Sequence, residues 1–173
     1  MHNLGKTYLS RAIIFMGTEL NKQDINILNI LQSDASKTSS DVADIVGMSQ
    51  SPCWRRINRI EQDGVIRKKV ALLDRHALGM DLVVFATINL TTSGRQNLEE
   101  FEHSVQNFDE VMECYTMTGI WDYMLKIIVK DIRNYESFVR DRLLGLPMIR
   151  EIHSHIAVTE IKNTTELPLK TQL

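Results

Sequence analysis

The hydrophobic period of this chain changes near residue 65, and that change limits its folds more than any other feature. Before it, apolar residues recur at helical spacing. After it, they alternate or run together in short segments divided by turn residues. A helical stripe and a pleated strand bury different faces, so the two patterns call for two separately packed units within 173 residues. Apolar residues make up 43% of the chain, enough for such cores. The longest apolar runs, "LVVFA" and "LKIIV", fall far short of the ~20 residues that span a bilayer, so no membrane segment is expected. The opening residues 1–18 read as a disordered extension, with Met16 as an alternative start, because "AIIF" is too short for the apolar core of a signal peptide.

In the first half, "NKQDINILNILQSD" sets Leu20, Ile27, Leu28 and Leu31 near helical spacing, with Asn21 placed to cap the helix. "TSSDVADIVG" predicts a short second helix, capped by Ser39 or Ser40, apolar at Val42, Ala43 and Val46, and stopped by Gly47. After only "GMS", Ser49 caps a third. Pro52 falls in its first turn, where the missing N–H does no harm, and Cys53, Ile57 and Ile60 form a stripe at i, i+4 and i+7, before Gly64 ends the helix. Two short helices across a tight glycine-containing turn are the ingredients of a helix-turn-helix, expected over 19–68.

Charge points the same way. The formal net charge is −2, yet Ser49 to Lys69 holds six Lys or Arg against two acidic residues; residues 1–75 are net +3 and residues 76–173 net −5. A basic stripe on an acidic protein displaces the counterions of a polyanion while the rest of the surface repels it, which suits double-stranded DNA. In a major groove, glutamine bonds adenine edges, arginine forks to guanine and serine donates or accepts. Gln50, Ser51 and Arg55, early in the third helix, are therefore the expected readers, with the cap residue Ser49 beside them in the DNA-binding set. Arg56 and Arg59, with Lys68 and Lys69 beyond them, are expected on phosphates, where they set register without reading sequence. Trp54 either packs in the domain or faces the DNA backbone, and core packing is the more frequent role for a tryptophan in such a position.

"VIRKKVALL" is strand-like, and 69–80 reads as a linker strand and hinge. From 81 to 173, "DLVVFATINL" predicts a strand and "GRQNLEEFEHSVQNF" a helix with Leu98, Phe101, Val105 and Phe108 on one face. "EVMECYTMTG" and "DYMLKIIVK" follow as two strands, "NYESFVRDRLLGLP" as a helix and "IREIHSHIAVTEIK" as a last strand. The order β-α-β-β-α-β is that of a ferredoxin-like domain, with both helices on one face of an antiparallel sheet. Val83, Phe85 and Thr87 alternate with Val84, Ala86 and Ile88, so the open face also carries apolar residues and dimerisation is expected to cover it.

The segments "LNKQDINILNILQSD", "VGMSQSPCWRRINRIEQDGVI", "VALLDRHALGMDLVVFATINL", "MTGIWDYMLKIIVKD" and "LLGLPMIREIHSHIAVTEIKNTTELPL" together resemble the Lrp/AsnC family of transcription regulators over about Leu20 to Leu169. The resemblance implies an α+β chain: an N-terminal winged helix-turn-helix and a C-terminal ferredoxin-like βαββαβ (RAM) domain. It implies homodimers that assemble further, often to octamers, and a small effector, usually an amino acid, bound at contacts between dimers. It also implies that a Gly-x-x-Asp turn, here Gly119 and Asp122, lines the effector site within "TMTGIWDY". Met117, Thr118, Trp121, Tyr123 and Ser154 are expected around it. Asp122 would meet an α-ammonium and turn N–H groups a carboxylate. The alternative is a structural turn in which Asp122 accepts backbone bonds. "PCWRRI", "DGVI" and "VALLD" look most like a branch with a cysteine-responsive detoxification regulator, which points to a sulfur amino acid, with leucine, methionine or no ligand left open.

No catalytic residue, metal or cofactor is expected. His153 and His155 share a strand face, but no third ligand is evident beside them, and Cys53 and Cys114 read as buried, inert thiols in a reducing cytoplasm. The sirohaem decarboxylases look like this two-domain fold, so an enzyme is the rival reading. The Gln, Ser and Arg edge of the third helix, followed by a basic tail, argues for DNA.

Overall fold

The computed structural model describes residues 19–91 and 94–169; the expected extension over 1–18 and its alternative start lie outside them. Contacts divide these residues into two compact units, 72–162 and 19–71 together with 163–169. This departs from the expected boundaries in two places. Residues 72–80 belong with the second unit rather than to a separate hinge, and the second unit ends at Lys162 rather than running to the C-terminus. The reason for the latter is visible at Gln32, whose side chain donates to Leu167 O at 3.0 Å and accepts from Leu167 N at 2.9 Å.

The first unit is three helices: α1 (Lys22–Ser33), α2 (Ser39–Val46) and α3 (Gln50–Gln62). Asn21 caps α1 as expected, in a reciprocal capping box with Asp24. The cap of α2 is Thr38, one residue before the expected serines, because Thr38 and Asp41 satisfy each other's backbone N–H groups. Gly47 ends α2 in the left-handed region at φ 68°, and the Met48 N–H turns back to Ala43 O at 2.9 Å. Ser49 occupies the N-cap of α3 without a side-chain cap bond. Ile27, Leu31, Val42, Ala43, Cys53 and Ile57 form the core, with the Cys53, Ile57 and Ile60 stripe buried as its spacing predicts.

Among the described residues no strand lies between α3 and β1, so the expected strand over 65–73 is absent. Val70, Leu72 and Leu73 are exposed there. A strand needs a neighbour for its N–H and C=O groups, and sequence period alone does not supply one.

The second unit runs β1 (Leu82–Leu90), α4 (Gly94–Val105), β2 (Val111–Thr116), β3 (Tyr123–Val129), α5 (Ile132–Phe138) and β4 (Ile149–Ile156). The sheet is antiparallel in the order β2-β3-β1-β4. This is the ferredoxin-like arrangement, with β3 and β1 at the centre because each pairs on both sides. Val84, Ala86, Ile88 and Leu90 of β1 pack with Leu125 and Ile127 of β3, Phe101 and Val105 of α4, and Tyr135 and Phe138 of α5. After α5 the chain makes one π-helical turn over Val139–Leu143. That wider turn brings Leu143 rather than Arg142 back to the buried side five residues after Phe138.

The other sheet face is mixed rather than uniformly apolar. Register sets Val83 beside Ile128, Phe85 between Lys126 and His155, and Thr87 between Met124 and His153. Phe85 is 36% exposed, and Lys126 is paired with Glu113 at 3.0 Å.

Candidate DNA interface and effector turn

Helix α3 separates two kinds of surface. Its stripe is buried, while Ser49, Gln50, Ser51 and Arg55 are exposed along its N-terminal half. Trp54 is 54% exposed, contrary to the expected core position, because the stripe at i, i+4 and i+7 leaves it on the outer side. Lys68 and Lys69 are exposed beyond the helix, and Lys69 Nζ reaches Glu61 Oε1 at 2.7 Å.

Arg56 and Arg59 are held differently. Arg56 Nη1 donates to Asp24 Oδ1 at 2.9 Å, and Arg59 Nη2 donates to Asp24 Oδ2 at 2.6 Å. Asp24 is fully buried and also accepts from the Asn21 N–H at 3.1 Å. Burial works against its charge, but the Asn21 bond and then the two guanidinium groups outweigh it, so its carboxyl lies below the usual range. Sequence reasoning did not single out Asp24. Its signal was an acid on the same face as Ile27, Leu28 and Leu31, with two arginines three apart on another helix. The two arginines it holds line a cleft of about 380 Å³ together with Asn21, Pro52 and Arg55.

In the second unit, Gly119 has φ 108°, and a Cβ built there would meet nothing within 4 Å. The turn is tied down at both ends. Met117 N donates to Asp122 O at 2.9 Å, Asp122 N donates to Ile88 O at 3.0 Å, and Leu90 N donates to Asp122 Oδ2 at 2.8 Å. Asp122 therefore docks the turn on β1, as the structural alternative anticipates. Met117, Thr118 and Ile120 are exposed around it.

The Trp121 ring lies 4.5 Å from that of His153, whose Nε2 is 2.9 Å from Glu151 Oε1. Glu151 also meets Asn89 Nδ2 at 3.5 Å. The structure thus gathers Trp121, Asp122, Asn89, Glu151 and His153 at one end of the sheet. It does not bring Tyr123 or Ser154 there. Tyr123 is buried against Phe101 and donates to Glu102 Oε1 at 2.8 Å, and the Ser154 hydroxyl meets the Tyr135 hydroxyl of α5 at 2.6 Å. Adjacent strand residues point to opposite faces, so His153 at the turn sends Ser154 toward the helices. A groove of about 410 Å³ lies at the far end of β3, lined by Glu110, Ile128, Val129, Lys130, Phe138 and Arg142 among others.

His153 has a carboxylate neighbour in Glu151, which sequence reasoning missed, but among the described residues no three potential ligands cluster as a metal site. Cys53 is buried, as expected, and burial raises its thiol pKa. Cys114 is exposed rather than buried, since β2 is an edge strand. Its sulfur is nonetheless partly shielded from water, and that desolvation, then the Glu102 charge, pushes its thiol up to about 11. No helix among the described residues is long and apolar enough to cross a membrane.

A helix-turn-helix with an exposed polar edge, joined to a ferredoxin-like unit, defines a class of two-domain DNA-binding regulators. Family models agree: residues 20–67 match a winged helix-turn-helix DNA-binding domain, and residues 83–167 match the Lrp/AsnC ligand binding domain. The transcriptional regulator AzlB of Bacillus subtilis (strain 168) is 35% identical over 154 residues, covering 89% of this chain and 98% of that protein. The leucine-responsive regulatory protein of Escherichia coli (strain K12) is 35% identical over 156 residues, covering 90% and 95%. Among solved structures, an AsnC family regulator from Agrobacterium tumefaciens superimposes with a TM-score of 0.84 at 42% identity, covering 89% of this chain and all of that one. A regulator from Neisseria meningitidis, solved with L-methionine, gives a TM-score of 0.85 at 34% identity, covering 87% and 97%. The chain belongs to the Lrp/AsnC family of transcriptional regulators.

Proposed function

We propose that this regulator reads DNA with the N-terminal half of α3 and responds to an amino acid at the Gly119 to Asp122 turn, as a homo-oligomer in the cytoplasm. The observation that carries the DNA reading is the two-sidedness of α3, with Cys53, Ile57 and Ile60 buried and Ser49, Gln50, Ser51 and Arg55 exposed. Gln50, Ser51 and Arg55 contact base edges, with Ser49 beside them, while Arg56, Arg59, Lys68 and Lys69 contact phosphates.

The effector reading draws support from the Neisseria meningitidis relative, solved with L-methionine. In this chain, Oδ2 of Asp122 is committed to Leu90, so Oδ1 is the oxygen that meets the ammonium group. Met117, Thr118, Gly119 and Trp121 line the ligand. Tyr123 and Ser154 support the site from behind through Glu102 and Tyr135. Assembly through the open sheet face places these turns near other subunits, which lets a ligand bias one assembly over another by its differential affinity.

The test has two arms. Sites selected from random duplexes should bind far more tightly than random DNA; equal affinities would overturn the DNA reading. Thermal melts with each of the twenty amino acids should then show one or a few raising the transition, since a ligand bound to the native state stabilises it by mass action. No shift with any of them would remove the amino-acid effector while leaving the DNA reading intact.

A further inference from the structure

Charges out of water are costly unless paired, and Asp24 is the buried charged residue among the described residues of the first unit. Its two arginine partners are not themselves buried: 27% of the Arg56 side chain and 45% of the Arg59 side chain remain exposed. A guanidinium carries five N–H donors in a rigid fork, so one bond to a fixed carboxylate sets the plane of the group while other donors face outward. Three guanidinium groups, those of Arg55, Arg56 and Arg59, border the cleft, and one carboxylate, that of Asp24, holds two of them. The cleft is therefore net positive and its donors are oriented before any ligand arrives.

We propose that Asp24 is a positioning residue for DNA contact, and that the cleft it organises between Asn21, Pro52, Arg55, Arg56 and Arg59 receives one phosphodiester group of the duplex backbone. The inference rests on the DNA reading of α3 and adds a division of labour to it. Arg56 and Arg59, tethered at 2.9 and 2.6 Å to a residue on α1, are held back from the groove floor and grip the backbone. Arg55, on the rim of the same cleft, reaches a base. Preorganised forks facing a phosphate give geometric register as well as attraction, because the bidentate pairing has a preferred plane. A carboxylate bound to the arginines of the cleft lowers its total charge and so weakens indiscriminate attraction. What it supplies is orientation, and through it discrimination between a correctly seated duplex and any other.

The experiment pairs protein variants with single-phosphate neutralisation. Methylphosphonates are placed one at a time along each strand of a selected operator, and affinities are measured for the full chain and for its Arg56→Gln, Arg59→Gln and Asp24→Asn variants. One phosphate position should cost wild type about tenfold on neutralisation, the scale of a charge-assisted bond. It should cost Arg59→Gln and Arg56→Gln much less, since the partner is already gone. Asp24→Asn keeps the size of the side chain and a carbonyl oxygen for capping. It should reduce the same coupling in protein that circular dichroism shows to be folded, and should lower the ratio of operator to random-duplex affinity. A residue that only stabilised the fold would lower the melting temperature and leave both quantities unchanged, which would overturn the proposal. If Asp24→Asn fails to fold, the arginine variants decide: coupling of both to one phosphate supports the cleft, and coupling of neither overturns it. Failure of wild type to prefer any duplex would instead overturn the DNA reading on which this rests.

Discussion

Arg55 and Lys68 are both exposed cations in the basic stretch, and the proposed DNA reading expects different effects from each. Arg55 lies on the leading part of α3, so Arg55→Ala should weaken operator binding by roughly 1–3 kcal/mol and relax one base preference. Equal loss on random duplexes would assign it to the backbone. Lys68 lies past the helix end, and Lys68→Ala should weaken all duplexes alike and reduce the salt slope by about one. Asp24 makes a pH prediction. Its carboxyl lies below the ordinary value when folded, so the stabilisation it contributes is fully present above the unfolded value of about 3.9 and is lost as pH falls through the folded one. Acid melts of wild type and Asp24→Asn should therefore converge below about pH 4, with wild type the more stable at pH 6. Parallel curves would show that the Asp24 charge stabilises nothing.

At the scale of elements, turns carry the clearest consequences. Gly47 adopts φ 68° with open space where a Cβ would be, so Gly47→Ala meets strain without a clash. It should cost about 1 kcal/mol, read as a lowered melting temperature with DNA contacts retained. Two substitutions at Asp122 test the proposed sensing role of its turn apart from the structural one. Asp122→Ala removes the acceptor for Leu90 N–H and should lower the melting temperature without ligand. Asp122→Asn keeps an oxygen for that bond but loses the charge an ammonium group needs, so the unliganded melt should stay near wild type while the amino-acid shift disappears. A shift that survives Asp122→Asn and vanishes on changing Glu110 would move the effector to the groove at the far end of β3.

For the whole molecule, the open sheet face is where the proposed self-association is tested. Val83, Phe85, Met124 and Ile128 share that face with Lys126 and His155, and Thr87 Oγ1 is buried there without a hydrogen-bond partner among the described residues. Such a face suits a polar-rimmed contact with a second copy better than prolonged exposure to water. Light scattering at micromolar concentration should give at least a dimer. Phe85→Glu, which puts a charge at the centre of the face, should shift the mass toward monomer; an unchanged mass would place the interface elsewhere.

Local chemistry was enough for much of this architecture. The Asn21 cap, the Gly47 stop, the Cys53, Ile57 and Ile60 stripe and the β-α-β-β-α-β order are set by near neighbours in the chain, because caps, helical periodicity and strand alternation each involve residues a few positions apart. The exposure of Gln50, Ser51 and Arg55 on α3 was legible for the same reason, whereas Trp54, whose apolar bulk favoured the core, lies on the outer side. Tertiary structure decided what depends on distant partners. Asp24 became the anchor of two arginines only when α1 met α3, and the strand-like run after α3 stayed unpaired because pairing needs a neighbour that period cannot name. Ser154 turned to Tyr135, away from Trp121, because sheet register chooses a face and a one-residue step reverses it. Sequence carries the preferences of each segment; only packing decides which of them find partners.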